Sequence, residues 1–234
     1  MRTIVKYIVK GRRRAAAVVM CMCVMAGALF LSGCSGEKPD SSGTQEDSNS
    51  QSDASGAQGD SSQPDASASG SCFADIEIQD YGTVTVELDS EAAPITTENF
   101  IKLANDGFYD GLTFHRIIAG FMMQGGDPNG DGTGGSDETI EGEFSDNGYD
   151  NDLSHTKGAI SMARSQDYNS ASSQFFIVHE DSTFLDGQYA VFGYVTEGMD
   201  IVDAICEAAE PTDNNGTILP DAQPVITKIE IRTE

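Results

Sequence analysis

Between residues 35 and 71 the chain has no aromatic side chain and no aliphatic one larger than alanine. Such a stretch cannot bury enough apolar surface to offset the entropy of ordering it. A hydrophobic core must therefore come from residues 72–234, a length that suits one domain burying roughly two-thirds of its unfolded surface. The 35–71 stretch carries Glu37, Asp40, Glu46, Asp47, Asp53, Asp60 and Asp65 against Lys38 alone. A Gly/Ser-type chain of this length spans roughly 30–36 Å root-mean-square, and its acids extend it further, so it reads as a tether.

Upstream, Arg2, Lys6, Lys10, Arg12, Arg13 and Arg14 precede an apolar run over 15–31, and the first acid is Glu37. This is the layout of a secretory signal, which takes no part in the fold. The run is long for a signal core and short for a spanning helix, so length alone leaves an uncleaved anchor open. Leu31-Ser32-Gly33-Cys34 decides between them, because it resembles the lipobox of bacterial lipoproteins. That resemblance implies a signal peptide over 1–33, lipid (diacylglyceryl and a palmitate-type acyl chain) on Cys34, and a lipidated linker over 34–71. Two or more acyl chains hold a protein stably at a bilayer. The expected location is the extracytoplasmic face of the membrane, reached through lipid on Cys34.

The whole chain has 13 Lys+Arg against 38 Asp+Glu, a formal charge of −25. Seven basic residues beyond the signal then face all 38 acids, a formal −31, which excludes nucleic acid as a partner. Of five cysteines, Cys21 and Cys23 lie in the signal and Cys34 takes lipid, leaving Cys72 and Cys206. There is no disulfide framework. An oxidising compartment would permit a Cys72–Cys206 bridge, but no sequence feature brings the two together.

Period-two alternation over 74–78 and 83–88, joined at Asp80-Tyr81-Gly82, predicts an antiparallel hairpin with one buried face. Residues 94–105 read as a helix, with Pro94 at its start, Phe100, Leu103 and Ala104 on one face, and a stop at Asp106-Gly107. Short strands follow at 113–118, 121–124, 159–163, 174–178, 190–195 and 225–231, with a second helix over 199–208. The expected fold is mainly β: a closed eight-stranded antiparallel barrel capped by two helices, closure removing exposed edges.

Asp127-Pro128-Asn129-Gly130-Asp131-Gly132, with Glu138 six residues later, satisfies the spacing of an EF-hand calcium loop. The flanks argue against it. Such a loop needs a helix on each side, whereas residues 121–126 are strand-like and 142–145 loop-like, so a tight structural loop is expected. His115, His155 and His179 lack metal-ligand spacing, and no Gly-x-Ser-x-Gly elbow occurs. No metal and no cofactor is expected.

Phe114-His115-Arg116-Ile117-Ile118-Ala119-Gly120-Phe121-Met122-Met123-Gln124-Gly125-Gly126-Asp127 closely resembles the signature of the cyclophilin family of peptidyl-prolyl isomerases. Gly132-Thr133-Gly134-Gly135, Ile160-Ser161-Met162-Ala163-Arg164, Ser172-Ser173-Gln174-Phe175-Phe176-Ile177 and Phe184-Leu185-Asp186-Gly187-Gln188-Tyr189-Ala190-Val191-Phe192-Gly193 resemble its later blocks in the same order. The resemblance implies a cyclophilin-like barrel and rotamase activity on Xaa-Pro bonds, assisting the folding of extracytoplasmic proteins as a monomer. A proline-segment binding chaperone or adhesion module with incidental catalysis is the alternative.

The chemistry fits these residue types. Rotating an Xaa-Pro amide breaks no bond but passes a twisted state about 18–20 kcal/mol up, in which the proline nitrogen regains its lone pair. The site needs an apolar slot for the ring and a preorganised donor that favours the twisted amide. By resemblance, Phe121, Met122, Phe176 and Leu185 form the slot, Arg116 addresses the proline carbonyl and nitrogen, and Gln124 positions Arg116 and substrate. Arg116, Phe121 and Gln124 are thus the implied catalytic set. Arg164 binds the residue before proline through its backbone, Ala163 and Gln174 line the adjoining groove, and His115 supports the site. Phe184 and Tyr189 stand where many eukaryotic members have Trp and His; they keep an aromatic wall.

The chain contains no Trp. It therefore lacks the indole N–H that cyclosporin contacts in those family members, and calorimetry should show binding weaker than submicromolar. Submicromolar affinity would contradict this reading.

Overall fold

The computed structural model describes residues 71–234. The expected signal peptide, Cys34 and nearly all of the linker lie outside them. Eight strands and two helices follow the order β1 (Cys72–Ile78), β2 (Gly82–Leu88), α1 (Pro94–Asn105), β3 (Thr113–Ile118), β4 (Met122–Asp127), β5 (Ala159–Met162), β6 (Phe175–Val178), β7 (Val191–Glu197), α2 (Met199–Ala208) and β8 (Ile226–Thr233).

The first hairpin forms as its alternation predicts: Ala74, Ile76 and Ile78 pair with Val86, Val84 and Gly82, and the Ala, Ile and Val side chains enter the core. Asp80 takes a left-handed φ of 66° in the turn. β4 runs three residues beyond the expected 121–124 segment, because Gly125 and Asp127 still pair with Phe114 and Thr113 of β3.

All eight strands form one antiparallel sheet in the order β3-β4-β6-β5-β7-β2-β1-β8. It curls into a half-barrel, and the expected closure does not occur. β3 and β8 are its two edges, touching only where Thr113 bridges Val225, just before β8 begins. Beyond that point the free edge of β3 is taken by the loop between α2 and β8: Ile117 N–H donates to Gly216 O (2.8 Å) and Ile218 N–H to His115 O (2.9 Å). Pro220 and Pro224 offer no N–H, and a 3-10 turn at Pro220–Ala222 bends the loop away, so it covers the edge without extending the ladder.

Both helices pack into the core on the inner side of this sheet. Phe100 of α1 meets Tyr109, Phe175 and Phe192 at ring-centroid distances of 5.2, 5.5 and 5.2 Å. Val202, Ile205 and Cys206 of α2 join the same cluster. Cys206 and the half-buried Cys72 are free thiols, and burial pushes the Cys206 thiol up to about 12.

The N-terminus of α1 has no local side-chain cap. Its cap comes from far along the chain: the fully buried carboxylate of Glu143 accepts the Ile95 N–H (2.9 Å) on one oxygen and the Thr96 N–H (2.7 Å) on the other. Two orphan helix donors and the positive end of the helix dipole are thereby matched by one anion. Asn151 then ties the Glu143 carbonyl to Val191 O, linking this cap to the start of β7. Glu143→Ala should lower the unfolding free energy by about 3 kcal/mol in urea denaturation, since two charge-assisted hydrogen bonds are lost and two amides are orphaned. A loss below about 1 kcal/mol would show that the cap is dispensable.

Candidate active site

A one-residue irregularity decides which way Arg116 points. Phe114 and Arg116 are two residues apart and would share a face in a regular strand. A bulge at His115 breaks the β3–β4 register, so Phe114 turns into the core while Arg116 turns to the opposite, outer face. Register then sets a row across the sheet: Arg116 lies beside Gln124, Gln124 beside Phe176, and Phe176 beside Ser161. On this outer face Met122, Ala159, Phe176, Val178 and Val191 form a second apolar cluster, flanked by Phe121, Ala163, Leu185 and Tyr189.

Arg116, Phe121, Met122, Gln124, Ala163, Arg164, Phe176, Leu185 and Tyr189 line one cavity of about 210 Å³. The sequence-derived set is thus brought together except for three members. Phe184 stays 67% exposed, its ring tilted by 32° against Phe121 at a centroid distance of 5.6 Å. Gln174 lines a neighbouring, more polar groove of about 350 Å³, together with Gln124, Ala163, Arg164 and residues 132–136. His115 is only 4% exposed and faces a third cavity, of about 260 Å³, which shares Arg116 and Gln124 with the slot and adds Asp131, Asn215 and Thr217.

The guanidinium of Arg116 is fixed on two sides. Its Nε donates to Asn215 O (2.7 Å) and Nη1 to Gln124 Oε1 (3.1 Å); among the described residues Nη2 donates to no acceptor. The Arg116 carbon at the guanidinium centre lies 5.9 Å from the Phe121 ring centroid. Gln124 Nε2 in turn donates to Gln174 Oε1 (2.9 Å), and Gln174 Nε2 donates to Gly134 O (2.7 Å) and Gly132 O (3.2 Å). Each amide accepts on one side and donates on the other, so the chain of bonds fixes which way both glutamines face.

The glycine loop at the far end of this relay is the one with EF-hand spacing. Its first carboxylate is turned onto its own backbone: Asp127 accepts N–H groups from Asn129 (2.8 Å), Asp131 (3.1 Å) and Gly132 (2.6 Å). The loop is a scaffold for the Gly132 and Gly134 carbonyls, as the tight-loop reading expects.

Arg164 occupies an aromatic box that sequence reading misses. Its guanidinium carbon lies 4.9 Å from the Phe144 centroid, 4.9 Å from that of Tyr168 and 4.7 Å from that of Tyr189, while Nε and Nη2 donate to Gln188 O. The side chain is locked and its backbone borders both slot and groove. The other unforeseen partner, Asn215, acts through its carbonyl and so has no side-chain signature.

Burial holds both His115 and His155 below the ordinary histidine value, in each case against nearby carboxylates that push upward. Burial also lowers Arg116, whose guanidinium still stays charged at neutral pH, as arginine does in proteins.

The family model described as "Cyclophilin type peptidyl-prolyl cis-trans isomerase/CLD" matches residues 73–231. Peptidyl-prolyl cis-trans isomerase B of Bacillus subtilis is 50% identical over 123 residues, covering 53% of this chain and 82% of the relative. A Synechococcus elongatus isomerase is 49% identical over 112 residues, 48% of this chain and 72% of its own. The crystal structure of a Cryptosporidium parvum cyclophilin-type isomerase in the presence of the dipeptide Ala-Pro superposes with a TM-score of 0.61 at 30% identity, covering 69% of this chain and 99% of the other.

These matches make the chain a prolyl isomerase, one whose curled antiparallel half-barrel carries an apolar slot and a fixed guanidinium on its outer face. The chain belongs to the cyclophilin-type peptidyl-prolyl cis-trans isomerase family.

Because His115 and His155 resist protonation in the fold, the unfolded chain binds more protons just below the ordinary value of 6.5. Their contribution to stability is complete above that pH and is lost as pH falls. Asp131, Asp186 and Asp213 are held below 3.8, so their contribution disappears only in more acid solution. The melting temperature should therefore fall between pH 7 and pH 5; a flat profile there would contradict two buried neutral imidazoles.

Proposed function

We propose that this isomerase works as a lipid-anchored monomer on the extracytoplasmic face of the membrane, held there by Cys34 and the acidic tether, and speeds slow Xaa-Pro steps in emerging proteins. Such steps take about 10–100 s uncatalysed, long enough to limit folding. The observation that carries the site assignment is a fixed arginine beside an apolar slot. A proline ring enters the cavity lined by Phe121, Met122, Phe176 and Leu185, and the preceding residue lies along Ala163 and Arg164 toward the Gln174 groove.

Arg116 is then the donor at the proline. In the planar amide the nitrogen lone pair is delocalised; in the twisted state it is localised and accepts a hydrogen bond. A guanidinium N–H already aimed there interacts more strongly with the twisted state than with either planar state, which is the condition for lowering the barrier. Asn215 and Gln124 hold it in place before substrate arrives, so little ordering is left to the reaction. Gln124, held by Gln174, positions Arg116 and the substrate, His115 supports the strand beneath them, and Phe184 and Tyr189 supply the aromatic wall.

Arg116→Ala should reduce kcat/KM for a proline-containing peptide by about 10²–10³ while the fold remains intact, the scale of losing one preorganised donor. A variant within threefold of wild type would remove Arg116 from the mechanism and favour the binding-module reading. In cells fed labelled palmitate, the chain should carry label and sediment with membranes, and Cys34→Ala should lose both. An unlabelled wild-type chain would overturn the anchor.

A further inference from the structure

Three of the walls assigned above belong to one short loop. Phe184 and Leu185 lie in or at a 3-10 turn at Thr183–Leu185, and Tyr189 ends the segment just before β7. Between them, Asp186 points away from the slot. One oxygen accepts the Ser154 hydroxyl (2.6 Å); the other accepts the His155 backbone N–H (2.7 Å) and meets His155 Nδ1 (2.8 Å). Ser182 N–H donates to His155 O (2.7 Å) at the head of the same loop.

His155 carries the connection inward. Its fully buried ring stacks on Phe176 at 5.9 Å with an interplanar angle of 13°, and Nε2 meets Ser161 Oγ at 3.1 Å. Burial keeps this imidazole neutral, so Nδ1–H donates to Asp186 and Nε2 accepts from Ser161. Burial pushes Asp186 upward, but the hydrogen bonds from Ser154 and His155 outweigh it and keep the carboxylate ionised. The Ser–His–Asp sequence of contacts has the form of a hydrolase triad. Its serine is 0% exposed, on β5 beside Phe176, and no substrate carbonyl reaches it. The arrangement is a brace instead: through His155 it joins the loop to Phe176, which lines the slot, and to the buried Ser161 beside it. On the opposite flank of the loop Gly187 O accepts from Asp146 N–H, Gln188 O from Arg164 and Ala190 O from Met162 N–H.

We propose that Asp186 is a positioning residue that sets the width of the proline slot, clamping the Phe184–Leu185–Tyr189 loop to Ser154 and His155 so that Leu185 and Tyr189 stand at a fixed distance from Phe176. This rests on the slot assignment given above. Such a residue touches no reacting atom and governs how well a proline ring fits, in planar and twisted states alike. Its loss should act on uniform binding rather than on the barrier.

The test compares wild type, Asp186→Ala, Asp186→Asn and Arg116→Ala in the full-length chain, using exchange spectroscopy on a proline-containing peptide well below each melting temperature. Asp186→Ala should raise KM about tenfold, the lower end of what a misfitting apolar pocket costs, with kcat per folded molecule within about twofold. Asp186→Asn, which keeps an oxygen for both His155 donors, should restore most of the affinity. A purely structural role would lower the melting temperature and the amount of active protein without moving KM, and that result overturns the proposal. If Asp186→Ala does not fold, Ser154→Ala removes one of the three bonds and should raise KM about threefold; an unchanged KM there also overturns it. An unchanged KM in the Asp186 variants beside a collapsed kcat in Arg116→Ala defeats the brace alone, whereas full activity in Arg116→Ala defeats the slot assignment on which it rests.

Discussion

The interaction on which the site depends is the pair of hydrogen bonds that fix the Arg116 guanidinium, to Asn215 O at 2.7 Å and to Gln124 Oε1 at 3.1 Å. In a chain with 38 acids, a long basic side chain left free would pair with whichever carboxylate lay nearest. Here it is committed instead to one carbonyl and one amide oxygen, neither of which neutralises it. Its charge and its remaining donors stay available next to an apolar cavity. That commitment reaches outward through Gln124 and Gln174 to the carbonyls of Gly132 and Gly134, and the loop bearing them is folded around the Asp127 carboxylate.

The sheet makes this possible by having two separate apolar faces. The inner one carries Phe100, Phe175, Phe192 and both helices, and supplies the main core. The outer one is a small cluster around Met122, Phe176 and Val191, partly open, and it forms the floor of the slot. Stability and ligand access are thereby drawn from different sides of the same strands. The bulge at His115 is what allows Phe114 to serve the first face and Arg116 the second.

Much of this is legible in the sequence. The hairpin, both helices and the strand positions follow from period and punctuation, and the ordered blocks from Phe114 to Gly193 contain every slot-lining residue. Sequence reading fails where the physics is long-range or uses the backbone. Glu143 caps a helix 47 residues upstream, and no local pattern announces it. Asn215 contributes a carbonyl, which any residue possesses. Phe144 and Tyr168 box Arg164 from separate loops. Barrel closure is the natural answer to two exposed edges, yet a loop with Pro220 and Pro224 covers the β3 edge equally well and leaves the sheet open. Asp186 lies inside a recognised block, but its partners at 154 and 155 lie some 30 residues away, in a stretch with no strand or helix period.

Preorganisation of Arg116 by Gln124 is most directly tested by a double-mutant cycle on kcat/KM, with Gln124→Ala made in the wild-type and Arg116→Ala backgrounds. Gln124→Ala should slow wild-type isomerisation substantially but cost little once Arg116 is gone, because most of its effect passes through that guanidinium. Equal losses in both backgrounds would mean that the two side chains act independently, and the fixed arginine would no longer be the centre of the mechanism.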